Sequence, residues 1–316
     1  MLFDSHSDLG AYFINRQALY KDDVVKDLIA EYQRNHVKAV IAAIFLENNE
    51  VAIAKEQAFE QIATLRAIIK KHPELHLALH AKDLEEAKEN NQTAIMISLE
   101  GAEPISSPIQ VALFKDLGVR FVGLTWIRRN RFADGAEAKT FMPKGGLSQE
   151  GVELVKAMEE ENMVIDLSHL SDEGIHDVFE HFSGPLFSSH TNARAINNIP
   201  RNHPDEILKE ISNRGGVVGL NIASFIVNNE KTPTLEDLSH HLLHMIKVCG
   251  EDQVVLGFDF CNKLFNNPYI KEKATDVLVD YDDATEYLTS LQGTLSDDVI
   301  EKIAYHNMAR FLKERL

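Results

Sequence analysis

Short apolar runs alternate with amphipathic stretches along the whole chain. Val37 to Phe45 (VKAVIAAIF) is apolar almost without interruption, the pattern of a strand buried on both faces. Seven further short runs read as strands: Leu2-Phe3, Ala94 to Leu99, Val119 to Thr125, Met163 to Ile165, Leu186-Phe187, Val217 to Leu220 and Val254 to Gly257. Helical spacing fills the intervals. Helices are expected from Asp22 to Asn35, from Asn49 to Lys71 before Pro73, from Asp83, and from Pro108 to Leu117 before Gly118. Ser148 caps the next, to about Glu161, and Ser171 and Asp172 start one that carries Ile175, Val178, Phe179 and Phe182 and is broken at Gly184-Pro185. Asp205 to Arg214 follows, and Thr234 with Asp237 forms a capping pair for a helix that ends at Gly250. Helices near Asp282 to Leu291 and Ser296 to Leu316 finish the chain. Leu75 to His80 (LHLALH) alternates like a strand but reads equally as the approach to the helix at Asp83. Without it, eight strands are each followed by a helix or by a loop and a helix. That is the pattern of an α/β fold of the (β/α)8 TIM-barrel type, with inserted loops and C-terminal helices. An open doubly wound sheet is the rival, but no glycine-rich dinucleotide fingerprint follows any strand. No linker, repeat or composition shift divides the chain, so residues 1–316 read as one domain.

Composition narrows the function more than the fold. A formal charge of −17, from 49 acidic against 32 basic residues, repels phosphate backbones and anionic membranes, so nucleic acid and membrane are not expected partners. Cys249 and Cys261 are the only cysteines, as expected in a reducing compartment. The start, MLFDSHSD, has neither the basic region nor the apolar stretch of a signal peptide, and no run of about 18 apolar residues occurs. A cytoplasmic location is the resulting expectation.

Strands joined by single helices run parallel, so their C-terminal ends share one edge, where barrels place their chemistry. The residues at those ends are His6 and Asp8, then Glu100, Trp126, His169, His190 and Asp259. Six of the seven can bind a metal or move a proton. His6 and Asp8, one residue apart, project from the same face of an extended segment. Each has a plainer reading. The pair suits a strand-end turn, Glu100 a salt bridge to the arginines at 128–131, the histidines backbone-bonded core positions, and Asp259 a helix cap. Taken together, three histidines and two carboxylates suit two divalent ions that share a bridging glutamate. His240, His241, His244, His72, His176 and His181 read as surface residues. The long loop at 127–147, rich in arginine and glycine, reads as functional.

At this point the chain resembles the membrane (renal) dipeptidases, zinc metallopeptidases of the amidohydrolase-like barrel superfamily. The resemblance rests on DSHSD, SLEGAE, GVRFVGLTW, VIDLSH, PLFSSH, PRNHPDEIL and GFDF, in order and spacing over nearly the whole length. It implies one zinc held by His6, Asp8 and Glu100 and a second by Glu100, His169 and His190, with a bridging hydroxide as nucleophile. It also implies that Arg201 grips the substrate carboxylate and that Asp259 handles the proton. Two departures stand out. Trp126 occupies the place of a histidine that contacts the tetrahedral intermediate, and Asp259-Phe260-Cys261 replaces Asp-Phe-Asp. The nearest groups in sequence to replace the lost contact are Arg128, Arg129 and Arg131. The implied activity is hydrolysis of dipeptides with two divalent ions per chain, zinc first among them. A related amide, lactam or N-acyl amino acid as substrate is the alternative, as is a metal-binding barrel without efficient turnover. The lipid-anchor and secretion signals of the animal members are absent, and a homodimer is compatible with the sequence.

Overall fold

The computed structural model describes residues 1–46, 53–137, 145–184, 186–261 and 276–315. The start of the helix expected from Asn49, residues 138–144 of the long loop, and Pro185 lie outside the described residues. Nine parallel strands occur: β1 (Leu2–Ser7), β2 (Val37–Phe45), β3 (Leu75–Leu77), β4 (Thr93–Glu100), β5 (Val119–Gly123), β6 (Val164–Asp166), β7 (Phe187–Thr191), β8 (Val217–Leu220) and β9 (Val254–Leu256). Eight of them close a ring, because β2 pairs with both β1 and β4 and β9 pairs with β1. These are the eight apolar runs of the sequence, closed as a (β/α)8 barrel.

The ambiguous LHLALH segment resolves into both of its readings. Leu75, His76 and Leu77 pair with Thr93, Ala94 and Ile95, the lower half of β4, while β5 takes over the same edge from Ile97 upward. The chain then turns at His80 into the helix Ala81–Glu89. β3 is thus a short strand beside the ring rather than a stave of it.

Inward-facing side chains fill the lower barrel. Phe3, Ile41, Met96, Phe121, Val164, Phe187, Val217 and Val255, one from each stave, form a buried cluster with Tyr305, Met308, Phe311 and Leu312. The last four come from the end of the chain, so the C-terminal helix seals the floor of the barrel. Phe311 stacks on Phe187 with ring centroids 6.0 Å apart. The single helix expected from Ser296 is broken into Asp297–Glu301, a π-turn at Lys302–His306 and Asn307–Lys313. A larger cluster outside the staves packs the surrounding helices. No described helix is long and apolar enough to cross a membrane.

Two glycines permit the crowding just below the upper rim. A Cβ built on Gly219 or on Gly257 would lie 1.8 Å from the carbonyl oxygen of Ser189, a backbone atom that cannot step aside. The same oxygen accepts a hydrogen bond from the Ser5 hydroxyl at 2.7 Å. Gly219→Ala is therefore expected to destabilise the fold by about 3 kcal/mol or more, read as a lowered Tm in thermal unfolding.

Two histidines expected at the surface are buried. His241 lies on the core-facing stripe of the helix Leu235–Cys249 with Leu238, Leu242 and Met245. Its Nδ1 accepts the Ala193 N–H at 3.2 Å, so Nε2 carries the proton and donates to the Val227 carbonyl at 2.9 Å. His72 is covered too, 3.2 Å from the Asp22 carboxylate. His244, further along the helix of His241, faces Asp205 at 2.8 Å.

Candidate metal centre

The upper mouth of the barrel gathers the strand-end residues. β1 loses regular register between Asp4 and Ser7, and such an irregularity at a rim re-aims the side chains that follow. His6 Nε2 comes to lie 3.6 Å from Asp8 Oδ1 and 3.6 Å from Glu100 Oε2. All three atoms are buried and lack a hydrogen-bond partner among the described residues. Across the mouth, His169 Nε2 and His190 Nε2 are 3.0 Å apart, and they lie 2.9 and 3.5 Å from Glu100 Oε1. Glu100 thus turns one oxygen to His6 and Asp8 and the other to His169 and His190. Ligand atoms around a tetrahedral zinc, at about 2.0–2.2 Å from the ion, sit roughly 3.3–3.6 Å from one another. The donor set, its spacing and the orphaned buried atoms fit a pair of divalent ions. Among the described residues Glu100 pairs with His6, His169 and His190 rather than with an arginine of the 128–131 cluster, so the plainer reading of a salt bridge there is not what the geometry shows.

The electrostatics agree with that fit. Burial, followed by the charge of Asp8, raises the Glu100 carboxyl to about 8. Burial opposes the charged form of His6, yet the Glu100 and Asp8 carboxylates hold it well above its ordinary value. Burial pushes His169 and His190 well below theirs, reinforced by Arg201 at His169 and by His6 at His190. Neutral imidazoles are the metal-binding form. Carboxylates crowded this closely, with buried imidazoles between them, are a repulsive arrangement that cations relieve.

Asp259 and Arg201 complete the mouth. The Asp259 N–H donates to the His6 carbonyl at 3.2 Å, which sets its carboxylate beside β1. Its Oδ2 accepts from Asn221 at 3.1 Å and lies 4.0 Å from His190 Nε2. Burial raises its carboxyl to about 6. Asp259 and His169 both adopt left-handed backbone, with φ of 56° and 67°, a strained conformation that the surrounding ring enforces. Arg201 is buried; its Nη2 donates to the His190 carbonyl at 2.7 Å and lies 3.1 Å from His169 Nε2. Its Nε and Nη1 are buried without partners among the described residues, two donors suited to an incoming anion.

Above these groups lies a cleft of about 310 Å³, with Phe45, Trp126, Phe225 and Ile226 among its walls and Arg201 and Asp259 at its base. Trp126 packs edge-on against Phe45, ring centroids 4.9 Å apart, and 6.1 Å from the His169 ring. The three arginines line a different pocket with Glu103 and Asn130. Arg129 is bound to the buried Asp134, with one contact at 2.6 Å, and Arg131 reaches Glu150 at 2.6 Å. Carboxylates near their own loop draw Arg129 and Arg131 outward, so the structure does not bring them to the mouth. Phe45 and Phe225 were not anticipated; Phe45 reads from sequence only as the last residue of an apolar strand. Asp166 and Ser189 were missed as well, although both lie within motifs quoted above.

Comparison with known proteins agrees. The model of the membrane dipeptidase family, peptidase family M19, matches residues 1–315. The chain belongs to this family. An uncharacterized protein from the pqqA 5′ region of Klebsiella pneumoniae is 30% identical over 81% of this chain and 94% of its own length. An uncharacterized dipeptidase of Schizosaccharomyces pombe is 34% identical over 64% of this chain but only 50% of its own length, so the chain spans about half of that relative. Among solved structures, a metallopeptidase from Rhodobacter sphaeroides, bound to a phosphinate mimic of the dipeptide L-Ala-D-Ala, superposes with a TM-score of 0.86. It is 20% identical and covers 100% of this chain and 99% of its own. As an M19 member the chain is a dipeptidase-class, metal-dependent hydrolase built on a TIM barrel.

Proposed function

We propose that this M19 dipeptidase is a binuclear zinc enzyme, with His6, Asp8 and Glu100 holding one ion and Glu100, His169 and His190 the other. The observation that carries the reading is the split carboxylate of Glu100, whose two oxygens face two separate donor groups at the mouth of the barrel. Bound there, the ions supply Lewis acidity toward the scissile carbonyl and hydroxide near neutral pH. Asp259, beside both donor groups, accepts the proton of the attacking water and returns it to the leaving amine. Arg201 receives the free carboxylate of the substrate on Nε and Nη1, which selects short substrates that end near the centre. Trp126, Phe45 and Phe225 wall the cleft, shed water from it and favour apolar substrate side chains. One domain, residues 1–316, suffices for this reaction.

A second reading comes from Trp126 itself. Its indole N–H offers a single hydrogen bond where an imidazole would polarise the substrate, which suits another small amide, lactam or N-acyl amino acid at the same centre. One panel tests both, comparing dipeptides, their C-terminal amides and N-acyl amino acids on zinc-loaded protein. Free dipeptides are expected to be cleaved and their amides spared. Dipeptides left intact while an acyl amino acid is cleaved would favour the second reading, and no hydrolysis at all would reject both. On the same panel Arg201→Lys, which keeps the charge and loses the planar fork, is expected to raise KM about tenfold or more with a smaller change in kcat. A fall in kcat alone would contradict the clamp.

A further inference from the structure

Beneath the donor atoms a single hydroxyl touches two of the rings. Ser189, on β7, is buried, and its Oγ lies 2.5 Å from His190 Nδ1 and 3.4 Å from His6 Nδ1. The two rings stack on each other, centroids 3.7 Å apart and 28° from parallel. Asp166, at the end of β6, holds the serine from below. Its Oδ1 accepts the N–H groups of Ser168 at 3.0 Å and of Ser189 at 2.9 Å, and its Oδ2 accepts the Ser189 hydroxyl.

The Ser168 hydroxyl also approaches Ser189 Oγ, at 3.2 Å, and the Asp166 carboxylate sets the direction of the bonds to the rings. A hydroxyl has one hydrogen, and a carboxylate only accepts. With that hydrogen on Asp166, the lone pairs of Ser189 are what face the two imidazoles, so each must present an Nδ1–H to it. In a neutral ring, the form that binds a metal, the proton is then off Nε2, and the Nε2 atoms point to the mouth, His6 toward Asp8 and Glu100 and His190 toward Glu100 Oε1. We infer that Asp166 and Ser189 are positioning residues that lock His6 and His190 in the Nδ1–H tautomer, so that one hydroxyl prepares a ligand for each of the two ions. This rests on the binuclear reading and adds to it a device common to both sites, which ties their affinities together. Outer-shell partners of this kind typically contribute roughly 10–100-fold to metal affinity.

Asp166→Asn makes the test sharp, because it preserves shape and reverses polarity. The asparagine carbonyl takes the place of Oδ1, where two backbone N–H groups require an acceptor, and its NH2 then points at Ser189. The serine hydrogen is displaced toward His190 Nδ1, which favours the Nε2–H tautomer that cannot ligate. Zinc competition against a chromophoric chelator is expected to show both ions weakened by roughly 10–100-fold in Asp166→Asn and in Ser189→Ala. Ser188→Ala is the control, since that hydroxyl bonds Ser168 and His203 at 3.1 and 3.0 Å and touches neither ligand ring. It should bind zinc like the wild type. In 15N-histidine-labelled wild type loaded with zinc, NMR should show His6 and His190 protonated on Nδ1. Wild-type zinc affinity in Asp166→Asn, or equal weakening in Ser188→Ala, would each overturn the inference while the binuclear reading stands, whereas a proton on Nε2 of either ring in the loaded protein would remove that ring as a ligand and overturn both. Wild-type protein that binds no zinc would remove the reading and the inference together. If Asp166→Asn does not fold, the wild-type spectrum and Ser189→Ala decide.

Discussion

If Glu100 bridges two ions as proposed, Glu100→Gln is expected to cost the enzyme at least one of them and to lower turnover by roughly 10³-fold or more. Among the described residues Glu100 has the only side chain whose two oxygens face both halves of the centre, 3.6 Å from His6 on one side and 2.9 Å from His169 on the other. Glutamine keeps the size but loses the charge, and its amide nitrogen can only present hydrogens to whichever half it faces. Metal catalysis of this kind contributes several kcal/mol to transition-state stabilisation, and each 1.36 kcal/mol is a factor of ten. The fold should survive, because replacing a buried carboxylate that burial pushes to about 8 with a neutral amide removes a desolvation cost. Metal analysis, a dipeptide assay and a thermal melt on one preparation check all three statements. A Gln variant with two ions and near wild-type turnover would show that Glu100 does not bridge.

Asp259→Asn should separate proton transfer from metal binding. Asparagine fills the same space and still accepts the hydrogen bond of Asn221 through its carbonyl oxygen, but it cannot take a proton. Turnover is expected to fall by roughly 10² or more while metal content and KM stay near wild type. Its raised pKa sets a pH signature. The carboxyl at about 6 must be ionised to act as base, so kcat/KM should decline as pH falls through that region, and the limb should vanish in Asp259→Asn. A variant that loses its metal instead would make Asp259 a ligand rather than a base.

Much of this was legible in the sequence, for a physical reason. Staves buried on both faces are continuous apolar runs, so the polar residue that ends each run marks the rim. His6, Asp8, Glu100, His169, His190 and Asp259 were found in that way, and the structure brings all six to one mouth. What escaped depends on contacts between distant segments. LHLALH looked like two things because it is two things, a three-residue strand followed by a helix cap. His241 was misjudged because histidine is polar by type, while its helix turns it to the core between Leu238 and Leu242. Arg129 and Arg131 are, with Arg128, the nearest cations to Trp126 along the chain, and nothing in sequence order shows that Asp134 and Glu150 hold the first two away. Ser189 and Asp166 sit 23 residues apart, and only the pairing of β6 with β7 puts a hydroxyl on a carboxylate beneath two rings.

The central claim is a two-ion hydrolytic centre built from five side chains. Its most direct test is elemental analysis of protein prepared without chelators, followed by a dipeptide assay before and after metal is stripped and zinc restored. The account predicts close to two divalent ions per chain, activity lost with the metal and regained with zinc. Stripped protein that still cleaves dipeptides at the full rate would contradict it.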